Sequence, residues 1–260
     1  MNHHRSGSGE PLVLIHGVGH HWQGWRPVIG RLSERYDVIA ADSPGFGSSP
    51  PLAPGIDPTI EAYADAFESF FAGLGLGRPH VAGNSMGGAI ALELARRRAV
   101  RSATAISPAG FWTPRERRFC QLSMGLSGVL PAAGRPAVLA LVGTPAGRAV
   151  VLSQNFARPW RMPADEARLM LQDLWRSPAL GPAIAAFDRY TFRNGQELRG
   201  LPVTVAWGSR DRLLLFGRQA PRARRALPEA RHVTLQGLGH TPFYDDPDRV
   251  ADVIVEGAGG

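Results

Sequence analysis

The chain has 260 residues, 44% hydrophobic and 20% charged, enough to bury one sizeable core, so one compact domain with an insertion is the expected organisation. Its formal net charge is +7, but all 29 basic residues are arginines scattered along the chain, with only short clusters at 96–98 and 222–225. No aromatic and basic residues interleave as in a single-strand binder, and no zinc-finger or basic-zipper spacing occurs, which argues against a nucleic-acid partner, while the lone Cys120 excludes an internal disulfide.

Residues 1–10 hold no apolar core of signal-peptide length, so a cytoplasmic protein in a reducing compartment is expected. Residues 12–15 are a continuous apolar run ending at His16-Gly17, and 38–41 ends the same way before Asp42-Ser43-Pro44-Gly45. Both read as strands buried on two faces. Residues 58–74 carry helical spacing through Ile60, Ala64, Phe67, Phe70 and Phe71, with Asp57 and Pro58 as cap and first-turn residues. A strand at 80–82, a helix at 86–98 and a strand at 103–106 follow, and this alternation predicts a parallel sheet.

From about 110 to 199 the alternation lapses into helical patterns broken by prolines, among them Pro114, Pro131, Pro145, Pro159, Pro163, Pro178 and Pro182. An all-helical insertion over 110–199 is expected, with 1–109 and 200–260 forming the core. Its apolar stretch 122–152 is interrupted by prolines and arginines and falls short of a bilayer span, so no stable membrane insertion is expected. A strand at 203–207, a basic helix at 218–227, a last strand at 232–235 and a helix from Pro247 complete the chain.

Gly83-Asn84-Ser85-Met86-Gly87 sets a serine between a strand and a helix, with glycines two before and two after it. Such a sharp turn strains the serine backbone and requires small neighbours, although an ordinary glycine-rich turn has the same composition. The amide end of the following helix favours negative charge at Ser85. A serine becomes nucleophilic only when a histidine takes its proton and a carboxylate orients that histidine. His240, in Gly237-Leu238-Gly239-His240-Thr241-Pro242, and Asp211, in Trp207-Gly208-Ser209-Arg210-Asp211, both follow strands at the sheet edge where ligands bind. Each alone has a plainer reading: Asp211 caps a turn or pairs with Arg210 or Arg212, and His240 bonds a backbone carbonyl. An oxyanion hole needs two backbone amides, expected from Met86 and from Val18 in His16-Gly17-Val18-Gly19.

Taken together, His16-Gly17, Asp42-Ser43-Pro44-Gly45-Phe46-Gly47-Ser48-Ser49, Gly83-Asn84-Ser85-Met86-Gly87-Gly88, Asp211 and Gly239-His240-Thr241-Pro242 resemble the α/β-hydrolase superfamily. The resemblance implies an α/β fold, a mostly parallel central sheet flanked by helices, with the 110–199 insertion as a helical cap roofing the pocket. With about ten residues before Leu12, the N-terminal hairpin is expected to be shortened, and Leu213-Leu214-Leu215 stands where many members place a proline.

The implied chemistry is hydrolysis of a small hydrophobic carboxylic ester, or a thioester or lactone, through an acyl-enzyme on the triad Ser85, Asp211 and His240. The elbow also resembles that of hydrolases cleaving carbon-carbon bonds in ring-opened aromatic catabolites, but Thr241 stands where those enzymes usually have tryptophan. A slow-turnover small-molecule receptor on the same fold is the third reading. Apolar Leu122, Met124, Leu126, Val129, Leu130 and Trp175 suggest a pocket for an acyl or aromatic group, and His20, His21, Trp22, Trp25 and Asn84 are expected to line it. Arg189 or Arg193 either anchors a substrate carboxylate or lies on a solvated helix face. No cofactor or metal is expected, and a homodimer stays open.

Overall fold

A computed structural model describes residues 1–128 and 130–259; Val129, one of the residues expected at the pocket, lies outside them. In chain order the elements are β1 (His3–Ser6), β2 (Glu10–Ile15), α1 (Arg26–Ser33), β3 (Tyr36–Ala41), α2 (Ile60–Gly73), β4 (His80–Asn84), α3 (Met86–Arg96) and β5 (Ser102–Ile106). The helices α4 (Pro114–Gly128), α5 (Arg135–Leu141), α6 (Pro145–Val151), α7 (Ala164–Arg176) and α8 (Leu180–Ala186) come next. β6 (Val203–Gly208), α9 (Phe216–Ala226), β7 (Arg231–Leu235) and α10 (Pro247–Gly257) complete the chain.

The strands form one seven-stranded sheet in the order β1-β3-β2-β4-β5-β6-β7, parallel except for β1. The apolar runs are buried on both sides because successive side chains point to opposite faces. Leu12 and Leu14 pack with Val28 and Leu32 of α1 and Val250 and Ile254 of α10. Val13 and Ile15 belong to the other core, with Phe67 of α2 and Ile90 of α3. Before β2 the described residues hold one strand, β1, which pairs antiparallel with β3. His3-His4-Arg5-Ser6 has no apolar alternation, so its sequence does not announce a strand; ladder bonds at the sheet edge hold it, and Arg5 forms a two-pronged ion pair with Asp37 at 2.9 and 2.6 Å.

The helix expected from Asp57-Pro58 begins later. Thr59 is its N-cap, its side chain accepting from the Ala62 amide at 3.2 Å, whereas Asp57 pairs with Arg189 on the surface. From β2 the chain steps to β3 on one side and then returns to place β4 on the other. The loop after β2 and the turn after β4 therefore leave their strands side by side at the point where the winding reverses, the crevice in which open α/β sheets bind ligands.

Between β5 and β6 the described residues form only helices and helical turns. The two ends of this segment are stapled together: the Phe192 amide donates to the Gly110 carbonyl at 3.0 Å, and Trp112 Nε1 donates to the Tyr190 carbonyl at 3.0 Å. Thr113 and Glu116 cap α4 reciprocally, the Glu116 carboxylate accepting from the Thr113 amide at 2.8 Å. On the far side, His21 Nε2 meets Asp173 of α7 at 3.0 Å and Arg26 meets Glu166 at 2.5 Å, tying the segment to the loop after β2 and to the start of α1. No helix among the described residues is long and apolar enough to cross a membrane.

Candidate active site

Ser85 sits between β4 and α3 with φ 56° and ψ −115°, a left-handed backbone that a non-glycine residue adopts only when its surroundings enforce it. The enforcement is visible on both sides. The Ser85 amide donates to the Ile106 carbonyl at 2.9 Å, and the Ser85 carbonyl accepts from Ala89 and Ala109 at 3.0 and 3.1 Å. The flanking glycines leave no space for a side chain: a Cβ on Gly83 would stand 2.1 Å from the Gly87 carbonyl oxygen, and one on Gly87 2.1 Å from that of Ile15. The turn is thus welded to the neighbouring strand through bare backbone.

Asp211 lies in the turn after β6 with its side chain fully buried. Its Oδ1 accepts from the Leu213 and Leu214 amides at 2.9 and 2.8 Å, while Oδ2 accepts from Trp207 Nε1 at 3.1 Å and from His240 Nδ1 at 2.8 Å. Asp211 therefore caps its own turn and orients His240 at once, and among the described contacts neither Arg210 nor Arg212 pairs with it. With the His240 proton engaged at Nδ1, Nε2 keeps the lone pair. Asn84, beside the serine, donates through Nδ2 to the carbonyls of Ile106 and His240 at 3.1 and 3.0 Å, fixing the histidine loop to the elbow.

Ser85 and His240 face the same niche, together with Gly17, Val18, His20, Asn84, Met124, Asn155, Leu213 and Thr241. The niche has about 10 Å³ of free space, close to the room one water needs. Among the described residues neither the Val18 nor the Met86 amide has a hydrogen-bond acceptor; Met86 opens α3, where first-turn amides have no partner within the helix. The loop bearing Val18 is braced by buried His16. Its Nε2 accepts from the Ser43 amide at 2.9 Å, which leaves Nδ1 to donate to the Gly17 carbonyl at 2.7 Å. Burial holds the His16 ring neutral, pushing it down to about 4 against the pull of its bond to Gly17.

Val18, His20, Met124 and Asn155 also line a cavity of about 210 Å³ roofed by the helical segment, in which Leu126, Leu130, Leu171, Leu174 and Trp175 supply apolar walls. His20 stands at the junction of niche and cavity, its amide donating to the Gly17 carbonyl at 3.1 Å and its ring making no hydrogen bond among the described residues. Burial, helped by His21, His16 and His240, pushes it down to about 3, so it presents an uncharged ring.

Several expected pocket residues lie elsewhere, among them His21, which pairs with Asp173. Trp25 is fully buried in the core against Phe243 at 4.2 Å between ring centroids, because its face completes the packing of α1 on the sheet. Trp22 stacks on His4 of β1 at 4.7 Å, and the Arg26 guanidinium also lies over its ring, 5.4 Å from the centroid. Arg189 is 61% exposed and spends its charge on Asp57, the solvated reading of that residue. Leu122 also points outward. Asp245 passed unnoticed in the sequence: it is fully buried and accepts from Gly239, Ala157 and Arg158 amides at 2.8, 3.0 and 2.6 Å, fastening the His240 loop to the helical segment. Burial lifts its carboxyl above the usual range, and these three amides pull the other way. Only its spacing of five after His240 hinted at it. Among the described residues no group of three His, Cys, Asp or Glu side chains gathers to hold a metal.

The profile of the alpha/beta hydrolase family matches residues 12–253 of the chain. An uncharacterized protein of Mycobacterium tuberculosis is 30% identical over an alignment covering 96% of this chain and 75% of that protein. Lipase 1 of Psychrobacter immobilis is 26% identical, with coverages of 94% and 75%. Among solved structures, a membrane phospholipase A described as a bacterial virulence factor is 27% identical, with a TM-score of 0.75 over 99% of this chain and 83% of that one.

Proposed function

Since the chain belongs to the α/β-hydrolase family, we propose that it is a serine hydrolase cleaving a carboxylic ester, or a related thioester or lactone, of a small hydrophobic substrate. The observation that carries this reading is the Asp211–His240 bond of 2.8 Å, fully buried and aimed so that the free His240 nitrogen shares a niche with the strained Ser85. The similarity to a lipase and to a phospholipase supports an acyl ester as the bond attacked.

Ser85 Oγ attacks the acyl carbon while its proton passes to His240 Nε2, and Asp211 stabilises the imidazolium that forms. The carbonyl electron pair moves onto oxygen, where the Val18 and Met86 amides stabilise it; each such donor lowers the barrier by about 2.7–4 kcal/mol. The pair then returns, the carbon–oxygen bond to the alcohol breaks, and His240 delivers its proton to the departing oxygen. Water repeats the sequence on the acyl-Ser85 ester, releasing the acid and restoring the serine. The apolar cavity receives the acyl chain, with Met124 and Trp175 in its walls.

A fluorophosphonate probe tests the assignment. Wild-type protein is expected to label on Ser85, with labelling lost in Ser85→Ala and His240→Ala. Labelling that survives both substitutions overturns the proposal, and negligible turnover of p-nitrophenyl esters combined with ligand-induced shifts in melting temperature supports a receptor instead.

A further inference from the structure

The outward side of α4 carries apolar side chains where a surface helix ordinarily carries charged ones. Its inward stripe is Glu116, Cys120 and Met124, all buried at a spacing of four. Its outward stripe is Phe119, Leu122 and Leu126, which are 46%, 59% and 73% exposed and follow one another at i, i+3 and i+7. Single exposed apolar residues need no account, but three on one helix face form a patch that needs a partner.

Charge identifies that partner. Arg115 and Arg118, exposed at the N-terminal end of the same helix, make no ion pair or hydrogen bond among the described residues. The acids of residues 110–190 are all engaged: Glu116 with Arg222, Asp165 with Arg168, Glu166 with Arg26, Asp173 with His21 and Asp188 with Arg117. These same residues hold ten arginines against five acids, so the uncompensated charge beside the patch is positive. A second copy of the chain would bring like charge against like, whereas an anionic surface complements it. The patch also leads somewhere: Leu126 belongs both to the outward stripe and to the wall of the 210 Å³ cavity.

We propose that this face of α4 docks peripherally on an anionic lipid surface. Phe119 and Leu122 enter the headgroup boundary, Arg115 and Arg118 lie on the lipid phosphates, and Leu126 turns the mouth of the cavity toward the lipid. This attachment lies on the membrane without spanning it, and it does not depend on Ser85.

Co-sedimentation of the full chain with phosphatidylcholine vesicles, with and without phosphatidylglycerol, tests the proposal. Wild-type protein is expected to pellet with the mixed vesicles, to leave pure phosphatidylcholine largely unbound, and to dissociate as salt screens the phosphates. R115Q/R118Q is expected to weaken partitioning by roughly twenty-five-fold, each arginine contributing about fivefold. F119Q/L122Q should weaken it comparably, with melting temperatures of both variants unchanged because all four side chains are exposed. Ser85→Ala should bind as wild type does, separating docking from hydrolysis. Absence of vesicle binding, equal partitioning into both vesicle types, or a homodimer in sedimentation equilibrium that F119Q/L122Q dissociates would each overturn it.

Discussion

Four donors converge on the Asp211 carboxylate, and an amide there would have to turn its own N–H₂ toward one of them. Asp211→Asn is therefore expected to keep the fold and to lower kcat on p-nitrophenyl esters on the order of 10⁴-fold, because His240 no longer holds its proton at Nδ1. His16 sets a different residue-scale expectation. Folded, its ring stays neutral down to about pH 4; unfolded, it takes up a proton at the ordinary imidazole value near 6.5. Between those values the unfolded chain binds more protons, so the stability His16 supplies is complete above about pH 6.5 and is lost as the pH falls toward 4, on the order of 3 kcal/mol. Melting temperature measured across this window should decline, and His16→Gln should flatten the decline. A profile identical to wild type in that variant would contradict the assignment.

At the scale of elements, the loop carrying His240 is positioned by what it touches. Asp245 binds the amide of Gly239 on one side and those of Ala157 and Arg158 on the other, and the Thr241 amide donates to the Asn155 carbonyl at 2.8 Å. The His240 loop and the helical segment are thus one hydrogen-bonded unit. Asp245→Asn places an N–H₂ group against buried donors and is expected to cost about 1–3 kcal/mol of stability, measured by urea unfolding, together with a fall in kcat. Unchanged stability would mean that the clamp contributes nothing. The elbow is the contrasting element: its glycines and serine meet within a single turn, so their spacing pointed to a strained serine once Asp211 and His240 were set beside it, whereas Asp245 was not legible, since its partners Ala157 and Arg158 are nearly ninety positions away.

The cavity is a property of the whole molecule, since Val18 and His20 come from the sheet edge while Leu171, Leu174 and Trp175 come from α7. Under the proposed ester hydrolysis, its volume of about 210 Å³ sets the length of acyl chain that fits. Leu171→Trp is expected to narrow it, lowering kcat/KM for octanoyl esters by about tenfold or more relative to acetyl esters, on the scale of one or two methylenes excluded from an apolar pocket. An unchanged chain-length preference would place the acyl group elsewhere.

Strand positions from β2 onward, the serine turn, and the two loops bearing Asp211 and His240 were determined by the sequence, because two-sided burial requires continuous apolar runs and a backbone-to-backbone contact requires glycine, whereas β1, an edge strand without such a run, was not. The tertiary structure decided which aromatic and basic residues reach the cavity. Trp25 and Trp175 are chemically alike, yet one fills the core against Phe243 and the other faces the cavity, and Arg189 found Asp57 across a gap of more than a hundred residues. Periodicity reports which side of an element is buried, but whether that side meets a core, a cavity or a lipid surface depends on the elements packed over it.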